Sequence, residues 1–220
     1  MDRPGSQVKK PKHKLMNEFD EMAATWDDDP DRVARARSIA TRMKAALDMD
    51  EFQNALEYGS GTGLLSFALK DDLKSITLMD ESAEMIRIAR EKCKAAQLDH
   101  FHPIQMDLLT ADYQPKDPFD FIFILLTLHH IQDTEGILAR FKDIMAPGGI
   151  LALIDLESED GTFHDREFHG HLGFDRQDLE SKVKHAGFQP FDYQVVYEIE
   201  KGEGVDKKAY PLFLMLGRTT

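Results

Sequence analysis

From residue 55 to residue 156 short, continuously apolar segments alternate with amphipathic ones, and no other feature restricts the chain as much. Ala55 to Tyr58, Ser75 to Met79, Phe101 to Met106, Phe119 to Leu126 and Gly149 to Leu156 read as strands. Between them, a helix following the first strand to about Lys70, then Ser82 to Ala96 and Asp133 to Met145, read as helices. A strand that is apolar on both faces has to be covered on both faces, and helices crossing over between parallel strands do that. The expected frame is an α/β, Rossmann-like, mostly parallel sheet with helices on both sides.

The end of the chain follows another rule. Asp175 to Ala186 reads as a helix closed by Gly187, a residue suited to the left-handed conformation that ends helices. Phe191, Tyr193, Val195, Tyr197 and Ile199 then alternate with Asp192, Gln194, Glu198 and Glu200, with only Val196 out of step. Period-two alternation marks a half-exposed edge strand. After the turn-rich Lys201-Gly202-Glu203-Gly204, Leu212 to Leu216 is again wholly apolar. Two strands in succession without a helix make an antiparallel hairpin, with the last strand buried inside the edge strand.

Upstream, residues 1–14 are polar and basic and carry Pro4, Gly5 and Pro11, so a disordered arm is expected there. Leu15, Met16, Phe19, Met22 and Trp26 recur at helical spacing. Asp29 and Pro30 make a helix start, an N-cap followed by proline in the first turn. Val33, Ala36, Ala40, Met43 and Leu47 give that helix one apolar stripe.

The chemistry concentrates where the first strand ends. Glu57-Tyr58-Gly59-Ser60-Gly61-Thr62-Gly63 leads from strand to helix, and glycines let the backbone turn sharply and come close to a ligand. The next strand ends in Met79-Asp80, where a carboxylate can accept from both hydroxyls of a ribose. The third ends in Met106-Asp107. In open α/β sheets ligands bind outside the carboxyl ends of the strands, and these elements converge there. Each acid alone could be a helix cap; the set is harder to explain that way.

These residues resemble the class I S-adenosylmethionine methyltransferases, especially the group that includes the ubiquinone and menaquinone biosynthesis methyltransferases. The acid-x-Gly-x-Gly-x-Gly motif of that family is met by Glu57, Gly59, Gly61 and Gly63, with Glu where Asp is commoner. Leu126-Thr127-Leu128-His129-His130 is similar to the family's fourth motif, and Ala146-Pro147-Gly148-Gly149 to the turn before its fifth strand. Phe19-Asp20-Glu21-Met22-Ala23 and Trp26 resemble its N-terminal lead-in. The resemblance covers residues 15 to 155 well and the remainder by strand pattern alone. It implies a seven-stranded sheet of order 3-2-1-4-5-7-6 with the last strand antiparallel. It implies one domain over 15–220, divided into a helical lid (15–50), a cofactor-binding core (51–157) and a substrate-side loop, helix and hairpin (158–220).

The cofactor implied is S-adenosyl-L-methionine. Its expected contacts are Glu57, Gly59, Ser60, Gly61, Thr62 and Gly63 in the loop, Asp80 and Glu81 at the ribose, Asp107 and Leu108 at the adenine, and Leu126. A nicotinamide-dependent oxidoreductase would require Gly-x-Gly-x-x-Gly, and Leu64 stands where its last small residue belongs. Methyl transfer chiefly needs the acceptor held in line with the breaking bond, so a base is required only if the acceptor must lose a proton. His129 and His130 are the candidates for that base, although a packing role at the strand end is equally open. On the acceptor side stand Trp26, His164, His169 and His171, with Phe163 and Phe168 beside them. His169 and His171, with Asp165 nearby, raise the question of a metal, but no second ligand cluster of known spacing accompanies them, and none is expected.

Charge bears on partners. Acids outnumber bases 40 to 27, for a net charge of −13, which disfavours nucleic acid and anionic membranes. A small-molecule acceptor is expected, through oxygen, nitrogen or carbon; a catalytically silent cofactor-binding partner or a protein-directed enzyme are the alternatives. The longest apolar run, Phe121 to Leu128, is too short for a membrane span. The single cysteine, Cys93, excludes an intrachain disulfide and aligns at helical spacing with Ile86, Ala89 and Ala96, as a core thiol would. The cytoplasm is the expected compartment; oligomeric state and acceptor identity are left open.

Overall fold

The structure, a computed structural model, describes residues 18–164, 168–204 and 207–220. The arm expected over residues 1–14, and Asp165, lie outside the described residues. Seven strands form one sheet: β1 (Ala55–Tyr58), β2 (Ile76–Asp80), β3 (Phe101–Gln105), β4 (Phe119–Leu125), β5 (Met145–Leu156), β6 (Phe188–Lys201) and β7 (Lys208–Thr219). Their order is β3-β2-β1-β4-β5-β7-β6, with β7 antiparallel to both neighbours, as the resemblance implied. The helices are α1 (Pro30–Ala46), α2 (Leu64–Ala68), α3 (Ala83–Ala95), α4 (Thr134–Ile144) and α5 (Arg176–His185).

Period-two packing divides the interior into two layers. Phe121 and Phe123 of β4 pack on one face with Ile39, Ala40 and Met43 of α1 and with Ala89 and Cys93 of α3. Ile122 and Ile124 pack on the other with Ile137, Leu138 and Phe141 of α4 and with Leu179 and Val183 of α5. Cys93 is part of the first layer, where burial raises its thiol pKa, so it behaves as a small apolar side chain.

Local signals account for the helix starts. Asp29 Oδ1 accepts from the N–H groups of Asp31 (2.9 Å) and Arg32 (3.3 Å), with Pro30 in the first turn, where its missing N–H has no intrahelical partner to lose. Ile39 joins the buried stripe of α1, while Val33 and Leu47 sit half-buried at its margins. Ahead of it, residues 18–22 form a helical turn and Ala23–Asp28 a 3-10 segment, not one continuous helix. Asp20 and Asp27 anchor this stretch through their side chains.

Two expectations about strands are corrected. Ala146-Pro147-Gly148-Gly149 falls inside β5: pairing jumps from Phe119–Met145 to Phe121–Ile150, so these four residues leave the ladder without ending the strand. In β6, register shifts at Pro190/Asp192 and Val195/Tyr197 break the alternation. Phe191 and Val195 are each 50% exposed, whereas Val196, the residue out of step, is buried at 4%. A bulge adds one residue, and one residue exchanges the faces. Among the described residues no helix is long and apolar enough to cross a membrane.

Candidate active site

The glycine loop turns the chain directly out of β1. Gly59, Gly61 and Gly63 all have positive φ, at 68°, 53° and 84°. A Cβ on Gly59 would overlap Thr127 of the loop after β4, and one on Gly63 would lie 2.5 Å from Leu78 Cδ2. At Gly61 the nearest atoms are Met85 Sδ and Trp26 Nε1, both at 3.8 Å. Gly59 and Gly63 are thus required by packing as well as conformation, whereas Gly61 keeps the outer side of the loop bare beneath Trp26.

Acids at the ends of three adjacent strands surround this loop. Asp80 Oδ2 accepts from Gly61 N–H and its Oδ1 from Ser82 N–H, each at 2.8 Å. Burial raises its pKa, and those two N–H groups oppose the rise. Glu57 is buried beneath the loop, where its Oε2 accepts from both the N–H and the hydroxyl of Ser66. Burial pushes its pKa up to about 8. Asp107 Oδ1 accepts from Leu109 N–H at 2.9 Å and from the Tyr58 hydroxyl at 3.3 Å. Burial, and then the charge of Asp107, pushes the Tyr58 phenol upward. Leu108 is buried beside it, and its carbonyl accepts from Arg140 Nε of α4 at 3.1 Å. Glu81 gives its carbonyl to Gln105 Nε2 at 3.2 Å.

The N-terminal segment lies over this edge. Asp27 takes the Thr62 hydroxyl (2.5 Å) and Lys92 Nζ (2.6 Å), while Asp20 takes the Ser82 hydroxyl (2.5 Å). The Arg32 guanidinium sits 3.9 Å from the centre of the Trp26 ring. Phe19 stands between Trp26 and His130, with ring centroids 5.9 Å and 5.5 Å away, so the segment bridges the glycine loop and the histidines.

Beyond β4 the backbone bends through Leu126, a non-glycine residue at φ 50° whose N–H bonds to Ile154 O. A left-handed leucine is uncommon, and such strain is typically found at functional sites. Thr127 Oγ1 then donates to Gly59 O at 3.2 Å, tying the two loops together. His129 follows, 2% exposed, with its Nδ1 2.6 Å from Oδ1 of Asp155 on β5, which is fully buried. His130, Phe163, His164 and Phe168 surround the His129 ring at centroid distances of 4.1, 6.4, 5.4 and 5.7 Å.

The structure therefore brings His129, His130 and His164 together but separates His171 from them. The His171 ring turns toward α4, where its Nε2 lies 3.1 Å from Thr134 Oγ1 and 3.0 Å from Ile131 O. His169 gives its carbonyl to Gln132 Nε2. Among the described residues no cluster of three or more ligands is placed to hold a metal. Sequence reasoning passed over Asp155, Asp27, Lys92 and Thr127. Only Asp155 carries a signal of its own, a carboxylate inside the apolar run Ile150 to Leu156.

Sheet order and a bare glycine loop ringed by acids define a Rossmann-like fold of the methyltransferase type. Residues 56–151 match a family model described as a methyltransferase domain. The chain is 33% identical over 102 residues to an uncharacterized methyltransferase of Mycobacterium bovis, covering 46% of this chain and 50% of that one. It is 29% identical over 105 residues to the demethylmenaquinone methyltransferase of Listeria welshimeri, covering 46% and 44% respectively. The chain thus spans about half the length of these curated relatives. Among solved structures, the N-methyltransferase NodS of Bradyrhizobium japonicum in complex with S-adenosyl-l-homocysteine superposes with a TM-score of 0.66, at 18% identity, over 93% of this chain and 97% of that one. The resemblance to methyltransferases thus holds in sequence over residues 56–151 and in the fold of the whole sheet.

Proposed function

We propose that this chain transfers the methyl group of S-adenosylmethionine to a small-molecule acceptor. The observation that carries this reading is the placement of Asp80: its carboxylate closes onto Gly61 and Ser82 at the lip of the glycine loop, with Asp107 one strand further out. The donor set fits the cofactor. Asp80 and Glu81 take the ribose hydroxyls, and Asp107 with Leu108 takes the adenine. The bare side of Gly61, with Ser60 and Thr62, takes the amino-acid part above Glu57. Leu126 lines the passage from there to the acceptor.

The cofactor supplies an activated methyl on a sulfonium, with a neutral thioether as leaving group. The protein's part is to hold the acceptor in line and keep water away. Phe19 and Trp26, latched by Asp27, close over the glycine loop, while His129 and His130 face the acceptor. A net charge of −13 favours small molecules over nucleic acid, and the buried lone thiol of Cys93 suits a reducing compartment such as the cytoplasm.

The test is transfer of labelled methyl from S-adenosylmethionine into a pool of phenols, amines and carboxylates, with heat-denatured protein as control. Label in the low-mass fraction supports the reading. Label confined to protein or nucleic acid contradicts the acceptor class, and cofactor binding without transfer contradicts catalysis.

A further inference from the structure

We infer that the guanidinium of Arg35 and the hydroxyl of Tyr197 form a subsite for a carboxylate, so that the acceptor is an organic acid gripped by an anionic group remote from the atom that is methylated. This rests on the methyl-transfer reading and specifies the chemical class of its acceptor.

Strand register places this corner at the ligand edge of the sheet. Tyr197 of β6 pairs with Leu212 of β7, which pairs with Leu156, the last residue of β5. Tyr197 is therefore level with the carboxyl end of β5, and Ile199 and Lys201 lie beyond it. Helix α1 packs against β6, and Tyr197, Ile199 and Phe163 join the layer that holds Ala36, Ile39 and Ala40. Arg35 precedes Ala36 in the second turn of that helix and is half-buried. Phe163 links the corner to the histidines. Its ring lies 5.2 Å from that of Tyr210 and 6.4 Å from that of His129, and its carbonyl accepts from Lys201 Nζ at 2.6 Å.

What sets the corner apart is a set of donors with no acceptor. Among the described residues Arg32, Arg35 and Arg140 are the half-buried arginines. Arg32 pairs with Asp29 and donates to Trp26 O, and Arg140 donates to the carbonyls of Leu108, Ala111 and Tyr113. Arg35 has no hydrogen bond or ion pair among the described residues, although the chain carries 40 acids. Burial draws its pKa down; neighbouring Tyr197 and then Asp29 oppose the fall, and Arg32 adds to it. Asp29 is already committed to Arg32 and to the N–H groups that open α1. The Tyr197 hydroxyl makes no hydrogen bond among the described residues either, whereas those of Tyr58, Tyr193 and Tyr210 bond Asp107, Glu157 and Thr162. A cation drawn partly out of water without a counter-charge is costly, and a ligand that brings the charge removes the cost. A planar guanidinium fork beside a phenol hydroxyl matches a carboxylate in shape and in its single charge. A phosphate dianion would call for a second cation, and Lys201 is held at Phe163.

The experiment compares wild type, Arg35→Gln, Arg35→Lys and Tyr197→Phe, each saturated with S-adenosylhomocysteine. The first readout is ¹⁵N NMR of the arginine Nε–H groups during titration with butyrate and benzoate, with butyramide, benzamide and phenyl phosphate as the comparison probes. The Arg35 resonance of wild type should shift with the acids and stay in place with the amides. The second readout is transfer of labelled methyl to amino- and hydroxy-carboxylic acids, each offered beside its own primary amide. Arg35→Gln should raise KM for the acids by about 30-fold or more with kcat within about threefold, and move KM for the amides by less than about threefold. Tyr197→Phe should raise KM for the acids by about five- to tenfold, and Arg35→Lys, which keeps the charge without the fork, should recover part of the Arg35→Gln loss. Equal losses for acids and amides would make Arg35 merely structural and overturn the inference. So would a wild type that binds S-adenosylhomocysteine while its Arg35 resonance responds to no acid, or responds as strongly to the amides. A stronger response to phenyl phosphate than to benzoate would overturn the carboxylate assignment. Failure of wild type to bind S-adenosylhomocysteine at all would instead overturn the methyl-transfer reading beneath it.

Discussion

The glycine-loop half and the histidine half of this sheet edge are held by different means. Around β1 and β2 the shape is set by backbone: three left-handed glycines, and N–H groups of Gly61 and Ser82 closing on one carboxylate. Around β4 and β5 it is set by side chains: His129 on Asp155 and His171 on Thr134, pairs far apart in sequence, with Phe168 stacked on the neighbouring His164. Backbone geometry tolerates almost no substitution but leaves the ligand's identity general. Side-chain geometry can be rebuilt around a new acceptor while the first half keeps its cofactor, which is how one fold serves many substrates.

The sharpest way to break this contrast is at Gly59. Gly59→Ala combines a positive φ with overlap against Thr127, and should lose roughly 3–5 kcal/mol in chemical denaturation together with cofactor binding. Gly148→Ala, at φ 76° with no atom within 4 Å of the added carbon, should lose only about 1 kcal/mol. Equal losses would show that conformation alone, without close packing, sets the loop.

Glu57 gives the next largest effect, and it is pH-dependent. Its folded pKa of about 8 lies above the ordinary 4.5, so the folded state keeps a proton that the unfolded chain releases. The resulting stability is complete below pH 4.5 and is lost progressively as pH rises to about 8. In Glu57→Gln the decline over that window should flatten, as read from unfolding midpoints across pH; an unchanged slope would assign it to other groups. The smallest effect is expected at the latch. Asp27→Ala removes the Thr62 and Lys92 contacts, which are partly exposed, so stability should change by less than about 1 kcal/mol. Affinity for S-adenosylhomocysteine should fall about five- to tenfold if the segment closes over the cofactor, and stay unchanged if it only packs.

The same contrast explains what could be read from the amino acids. Gly59, Gly61, Gly63 and Asp80 are visible because the glycines lie in one turn and the acid ends the next strand in the pattern. Strand order came from the resemblance, since spacing alone ranks no crossovers. The partnership of His129 with Asp155 was hidden because it depends on β4 and β5 lying side by side, 26 residues apart in sequence at this pair. The direction of His171 was hidden too, because spacing says nothing about which way a loop histidine turns; its ring faces Thr134 and Ile131. The register shifts in β6 were hidden because bulges are not marked by any residue type there.

The most direct measurement is calorimetric titration of the protein and its Asp80→Ala variant with S-adenosylmethionine and S-adenosylhomocysteine. Micromolar-range binding that weakens by about 100-fold or more in Asp80→Ala is the predicted result. A folded wild type that binds neither ligand, or a variant that binds both as well as wild type, would contradict the account.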